Sequence, residues 1–257
     1  MLVLLIGDII GKPGRQTLHM LLPSLKKEYN LDMVIANAEN ASGGLGLTPA
    51  TAEELFGIGI DVITSGNHIW HHKEIIPYLD EKKPVLRPLN YPPGVPGKGY
   101  IINNKVLVVN LIGRAFIGNF DCPFRAMDRL LTELKNKPPV ILVDFHAEAT
   151  SEKMALGQYL DGRVSAVVGT HTHVGTIDTR LLNNGTAYVT DIGMTGPINS
   201  VIGDDTESVL QRFLTMIPNR LAVGKGKTIL NSVLVRIDEE SGKAQSIERI
   251  DLEAEEL

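Results

Sequence analysis

The chain of 257 residues carries seven histidines, and its polar residues cluster where apolar runs stop. Leu2–Ile6 runs into Gly7-Asp8, and Met33–Ile35 into Asn37-Ala38-Glu39-Asn40. Asp61–Thr64 runs into Ser65-Gly66-Asn67-His68, and Val140–Val143 into Asp144-Phe145-His146-Ala147-Glu148. Val164–Val168 runs into Gly169-Thr170-His171-Thr172-His173. Hard oxygen donors (Asp8, Glu39, the amide oxygens of Asn40 or Asn67) thus accompany the imidazoles of His146, His171 and His173. Such a mixture suits iron, manganese or zinc, and the lack of thiolates argues against a structural zinc knot. A single tetrahedral ion cannot use so many ligands. Two ions about 3.5–4 Å apart, bridged by a carboxylate and a hydroxide, would use them all. His171 and His173 would share a face on a strict strand, whereas on a loop each could serve a different ion.

Taken singly, these pieces have plainer readings. Asp8 could cap a helix or form a turn, Gly66-Asn67-His68 could be a turn, and Glu39 and Asn40 could solvate a loop. Five such motifs, each closing an apolar strand, favour a site over coincidence. His19 reads as a surface or boundary residue, and His71 and His72 as the rim of the proposed site.

The elements that must position these residues are strands and amphipathic helices in alternation. Consecutive apolar positions mark strands covered on both faces, with further runs at Val106–Leu111 and Ala187–Thr190. Helices are expected at Arg15–Tyr29, Pro49–Phe56, Glu74–Leu79, Asp121–Lys135, Ser151–Leu160 and Thr206–Met216. A C-terminal hairpin is expected from Ile229–Ile237 and Ala244–Leu252. Tyr91–Gly99 is linker-like in composition, but strands resume at once beyond it, so residues 1–257 read as one layered α/β domain. In open α/β sheets the carboxyl ends of strands form the ligand crevice. If the five strands are neighbours, Asp8, Glu39, Asn67, His68, His146, His171 and His173 converge there.

Composition narrows the classes of partner. Lysine and arginine number 25 against 30 acidic residues, a formal charge of −5, which offers no footprint for duplex DNA or an anionic membrane. No stretch approaches the ~18 apolar residues of a spanning helix. The one cysteine, Cys122, cannot close an internal disulfide, which fits a reducing compartment. A soluble, cytoplasmic protein is expected, with a homo-oligomer left open.

Longer blocks resemble a known family. Gly7-Asp8, Gly66-Asn67-His68, His146 and residues 169–173 resemble the ordered blocks of calcineurin-like metallophosphoesterases. The wording of residues 7–15 (GDIIGKPGR), 37–44 (NAENASGG), 66–70 (GNHIW), 144–153 (DFHAEATSEK) and 193–197 (GMTGP) is similar to the YmdB-like bacterial phosphodiesterases. The resemblance implies a four-layer α/β/β/α sandwich, a binuclear iron centre in which manganese can substitute, and hydrolysis of phosphodiesters, with 2′,3′-cyclic nucleotides such as 2′,3′-cAMP as the substrate class. Carried over by position, Asp8, Glu39, Asn40 and His173 would hold one ion. Glu39, Asn67, His146 and His171 would hold the other, and His68 would donate a proton to the leaving oxygen. Two departures from the wider superfamily stand out: Asp8-Ile9-Ile10 replaces the usual Asp-x-His, and Glu39 replaces the usual bridging aspartate.

Other readings fare worse. The segment from Gly7 to Lys12 has three residues between its glycines and Pro13 after the lysine, so it is not a phosphate-binding P-loop. No Gly-x-Ser-x-Gly elbow occurs. The remaining alternative is a regulatory protein that binds a nucleotide or a partner on a phosphoesterase scaffold.

Overall fold

The computed structural model describes residues 1–254. Its strands are β1 (Leu2–Ile6), β2 (Asp8–Ile9), β3 (Met33–Asn37), β4 (Val62–Thr64), β5 (Tyr100–Asn103), β6 (Val106–Ile112), β7 (Val140–His146), β8 (Ala166–Thr170), β9 (Arg180–Leu181), β10 (Ala187–Val189), β11 (Met194–Pro197), β12 (Thr228–Ile237) and β13 (Ala244–Ala254). The helices are α1 (Gly11–Tyr29), α2 (Pro49–Ile58), α3 (Ile75–Leu79), α4 (Pro123–Glu133), α5 (Thr150–Leu160) and α6 (Thr206–Thr215).

Two sheets form. One runs β2-β11-β12-β1-β3-β4, with β13 on the other edge of β12; the second runs β5-β6-β7-β8-β10-β9. Alternation along each strand divides the apolar residues into three layers. Leu4 and Ile6 of β1 face Leu18 and Leu22 of α1 and Leu55 of α2. Val3 and Leu5 face the opposite way, into a core shared with Val108, Leu142 and Val168 of the second sheet. Val109, Val143 and Phe145 pack outward on Met127 of α4 and Leu156 of α5. Both faces of the central strands are therefore covered, which is why they read as unbroken apolar runs. The outcome is the expected four-layer α/β/β/α sandwich. Among the described residues no helix is long and apolar enough to cross a membrane.

The condition that the five motif-bearing strands be neighbours is met only in part. β1, β3 and β4 are parallel neighbours in the first sheet, and β7 and β8 in the second. The strand-end motifs meet across the sandwich rather than along one edge. Several boundaries also move. α1 begins at Gly11 rather than Arg15, since Pro13 in the first turn forfeits only an N–H that would lack a helical partner anyway. β7 continues through Asp144 to His146, paired on both sides, and β8 spans Ala166–Thr170 rather than Val164–Val168. Tyr91, in the linker-like segment, packs edge-on between Trp70 and Phe120.

Candidate metal centre

Close backbone approach brings the strand ends together. A Cβ on Gly7 would collide with the Gly193 carbonyl, so only glycine lets β1 pass into β2, where Asp8 pairs with Met194 of β11. Asn37 ends β3 and its Oδ1 accepts the Glu39 N–H at 3.1 Å, turning the chain so that Glu39 points inward, fully buried. After β4 the chain passes Gly66, whose missing Cβ would occupy the space of the His146 ring and the Glu39 carboxylate. His171 and His173 follow β8 with φ of +96° and +63°, left-handed backbone that costs a non-glycine residue free energy. They sit on a loop, not on a strand face.

Each of the three imidazoles has one nitrogen engaged outward and the other turned inward. His146 Nδ1 donates to Thr170 Oγ1 at 3.1 Å, and that hydroxyl donates to Asp144 Oδ1 at 2.7 Å. His171 Nε2 faces Glu148 Oε2 at 3.1 Å. His173 Nδ1 donates to the Ile202 carbonyl at 2.6 Å. Outer acceptors of this kind fix the ring orientation and turn the other nitrogen inward, as metal-ligating histidines require.

The inner atoms crowd on one another. His146 Nε2 lies 3.0 Å from His171 Nδ1, 3.1 Å from Asn67 Oδ1 and 3.1 Å from Glu39 Oε1. Glu39, His146 and His171 form a set able to share one ion. Spacings near 3 Å match adjacent ligands around one ion with bonds of about 2.1 Å. Beside them, His173 Nε2 lies 3.7 Å from Asp8 Oδ1, and Asp8 Oδ2 accepts the His171 backbone N–H at 3.1 Å. Asp8 Oδ1 and Glu39 Oε1 are buried without a hydrogen bond among the described residues. Two buried carboxylate oxygens beside inward-turned imidazole nitrogens fit cation ligation.

Asn40 links the two ends. Its Oδ1 lies 2.7 Å from His68 Nδ1, and its Nδ2 lies 3.2 Å from His173 Nε2. The amide thus turns its oxygen to His68 rather than to Asp8. His68 is half-buried, its Nδ1 also 3.1 Å from Glu39 Oε1, and its backbone N–H donates to Glu39 Oε2 at 3.0 Å. All eight sequence-selected residues therefore lie in one contiguous network.

Ionisation follows from these contacts. Burial works to raise Glu39, but His146 and His68 override it and hold its carboxyl well below the usual range. Burial dominates at Asp8 and pushes it up, against the pull of His173 and His146. Burial opposes charge on His146, yet Glu39 and Asp8 prevail and raise it to about 9. Burial and then the neighbouring His146 charge depress His171 to about 3. Asp144 is pushed up to about 6 by burial, against hydrogen bonding from Thr64.

Residues given no role by the sequence complete the support. Lys153 of α5 is fully buried and donates to Asp191 Oδ2 at 2.6 Å. The same carboxylate accepts Thr172 Oγ1 at 2.7 Å and Thr172 N at 3.3 Å, and its Oδ1 accepts Gly193 N at 2.8 Å. The pair thereby anchors the loop carrying His171 and His173. A signal existed, because Asp191 also closes an apolar strand, β10. Glu148 orients His171, and Asp144 reaches His146 through Thr170 and through Asn37, whose Nδ2 lies 3.2 Å from Asp144 Oδ2 and 3.4 Å from His146 Nδ1. His72 Nε2 lies 3.0 Å from the Leu45 carbonyl, on the rim as expected.

Two apposed sheets flanked by helices, with carboxylates and oriented imidazoles at their edges, define a metallophosphoesterase-type sandwich. Residues 4–250 match the YmdB-like protein family, and the chain belongs to it. It is 49% identical over 254 residues to the 2′,3′-cyclic-nucleotide 2′-phosphodiesterase of Bacillus subtilis (strain 168), covering 97% of this chain and 96% of that protein. Two solved structures are similar over nearly their whole length. A hypothetical protein from Thermus thermophilus has TM-score 0.92 and 46% identity, covering 98% of this chain and 99% of that one. A novel phosphatase from Mycoplasma pneumoniae has TM-score 0.93 and 35% identity, covering 99% and 94%.

Proposed function

We propose that this chain is a metal-dependent phosphodiesterase that opens 2′,3′-cyclic nucleotides such as 2′,3′-cAMP, acting in the cytoplasm and as one domain whose two sheets share a core. The observation that carries the reading is the orientation of the imidazoles. His146, His171 and His173 each give one nitrogen to an outward acceptor and the other to the side of Asp8 and Glu39. The activity named for the Bacillus subtilis relative supports the substrate class. Asp8, Asn40 and His173 would hold one ion, Asn67, His146 and His171 the other, and Glu39 both. Iron, with manganese as substitute, suits these mixed oxygen and nitrogen donors. Such ions supply a water nucleophile at neutral pH and positive charge for the phosphoryl oxygens.

The chain's own contribution is orientation and proton delivery. Asn40 Oδ1 holds His68 at Nδ1, which fixes the ring and leaves Nε2 for a proton to the ribose oxygen released from phosphorus. General acid help of this kind is worth ~10²–10⁴ in rate. Burial of Glu39 and Asp8 keeps water from competing for their oxygens.

The test combines metal analysis of anaerobically purified protein with hydrolysis of 2′,3′-cAMP and bis-p-nitrophenyl phosphate. His68→Ala should keep its metal and lose turnover, whereas Glu39→Ala should lose both. A metal-free, inactive protein that still bound a partner would favour a regulatory scaffold instead, and loss of metal in His68→Ala would overturn the assigned role.

A further inference from the structure

Beside the metal centre lies a groove of about 620 Å³ that the mechanism does not use. Its walls are the 42–45 loop, His71 and His72, Asp204, and the segment around Arg212 and Arg220. Two of its walls adjoin the site along the chain. Ser42 follows Asn40 by two residues, and Asp204 follows by two the Ile202 whose carbonyl holds His173. At 3.80 Å per Cα step, the groove begins within about 8 Å of the backbone of those residues.

The lining is suited to an anion. Arg220 is exposed and has no carboxylate partner among the described residues. Arg212 is held in place by Asn219, whose Oδ1 accepts its Nε at 3.1 Å and whose Nδ2 donates to the Ser208 carbonyl at 2.9 Å. Gly43 and Gly44 have φ of +69° and +95°, and a Cβ on Gly43 would meet nothing within 4 Å, so this backbone faces open space. One acid opposes: Asp204 is half-buried here, among the charges of His173, Arg212 and His68. Two guanidinium groups against one carboxylate leave the groove net positive.

Resting on the phosphodiesterase reading above, we infer that this groove is a second phosphate subsite, in which Arg220, with Arg212 beside it, binds a phosphate on the 5′ oxygen of the nucleotide whose 2′,3′-cyclic phosphate is opened. A cyclic mononucleotide without that group fills only the metal side. The same chemistry occurs in a 5′-phosphorylated mononucleotide and in the 3′-terminal residue of an oligonucleotide. Opening the ring adds a water oxygen to phosphorus, breaks the P–O2′ bond and returns a proton to O2′, leaving a 3′-phosphate. The product pair adenosine 3′-phosphate and adenosine 3′,5′-bisphosphate therefore isolates the subsite without turnover.

Calorimetric titration of the manganese-loaded protein with these two compounds, and with the dinucleotide ApAp, tests it. At low salt the bisphosphate should bind at least tenfold more tightly than the monophosphate, and the advantage should shrink as ionic strength rises. Arg220→Ala should erase the advantage and Arg220→Lys retain part of it. An equal gain for ApAp assigns the subsite to chain phosphodiesters as well as 5′-monoesters, and a gain confined to the bisphosphate assigns it to monoesters. Equal dissociation constants for mono- and bisphosphate and ApAp, or an advantage that survives Arg220→Ala, overturn the subsite. Failure of the same protein to open 2′,3′-cAMP overturns the activity assignment and leaves the binding comparison intact.

Discussion

Lys153→Met would test how the loop bearing His171 and His173 is held. Lys153 and Asp191 are both fully buried, with Nζ 2.6 Å from Oδ2. Removing one member of a buried ion pair costs ~3–5 kcal/mol, because the other charge is left uncompensated. Asp191 would keep three hydrogen bonds, from Thr172 N, Thr172 Oγ1 and Gly193 N, so the lower end applies, about 3 kcal/mol. Against a typical ~5–15 kcal/mol of domain stability, the variant should still fold, with a lowered urea midpoint. Adding Asp191→Asn removes the stranded charge and should recover more than half of the loss. Metal affinity should not recover with it, since an amide is a weaker acceptor for the Thr172 hydrogen bonds that hold the strained His171-Thr172-His173 turn. A loss under about 1 kcal/mol for Lys153→Met, or wild-type metal affinity in the double variant, would refute this account.

Three more outcomes can be measured. Thr170→Val removes the hydroxyl that accepts from His146 Nδ1 and donates to Asp144, leaving only the longer Asn37 contact, and metal affinity should fall ~10–100-fold with little change in circular dichroism. Gly66→Ala forces a methyl group into the space of the His146 ring and the Glu39 carboxylate, so metal content should drop more than in the alanine variant of exposed Gly57, where a Cβ meets nothing. In the metal-free protein His146 keeps its proton up to about 9, and ligation needs the neutral ring. Manganese affinity should therefore rise with pH from 6 to 9 and level off above, with proton release at pH 7 visible as buffer-dependent binding heat. His171, depressed to about 3, contributes nothing over that range, and an affinity independent of pH between 6 and 9 would contradict the assignment.

The site was legible because strands covered on both faces leave unbroken apolar runs, so a lone Asp or His at the end of one stands out. The same contrast misplaced the boundaries. Asp144 and His146 read as the end of β7, yet both lie within it, because their polarity serves the site and the neighbouring network rather than solvent. β5 and β11 were missed, since an edge strand and a Met-Thr-Gly-Pro segment owe their form to pairing with β6 and β12 rather than to local pattern. That the motif strands divide between two sheets depends on non-local partners no local pattern encodes. Lys153 passed unread as part of a motif because a buried lysine has no signature until its acid is located.

The residues proposed to ligate come from opposite slabs of the molecule: Asp8, Glu39, Asn40 and Asn67 from one, His146, His171 and His173 from the other. Occupancy would then act as a rivet through the sandwich, reinforcing the stitch that Asn37 and Thr64 already make to Asp144. Chelation should loosen the two slabs together, so that resistance to heat tracks the free ion concentration rather than being a fixed property of the polypeptide.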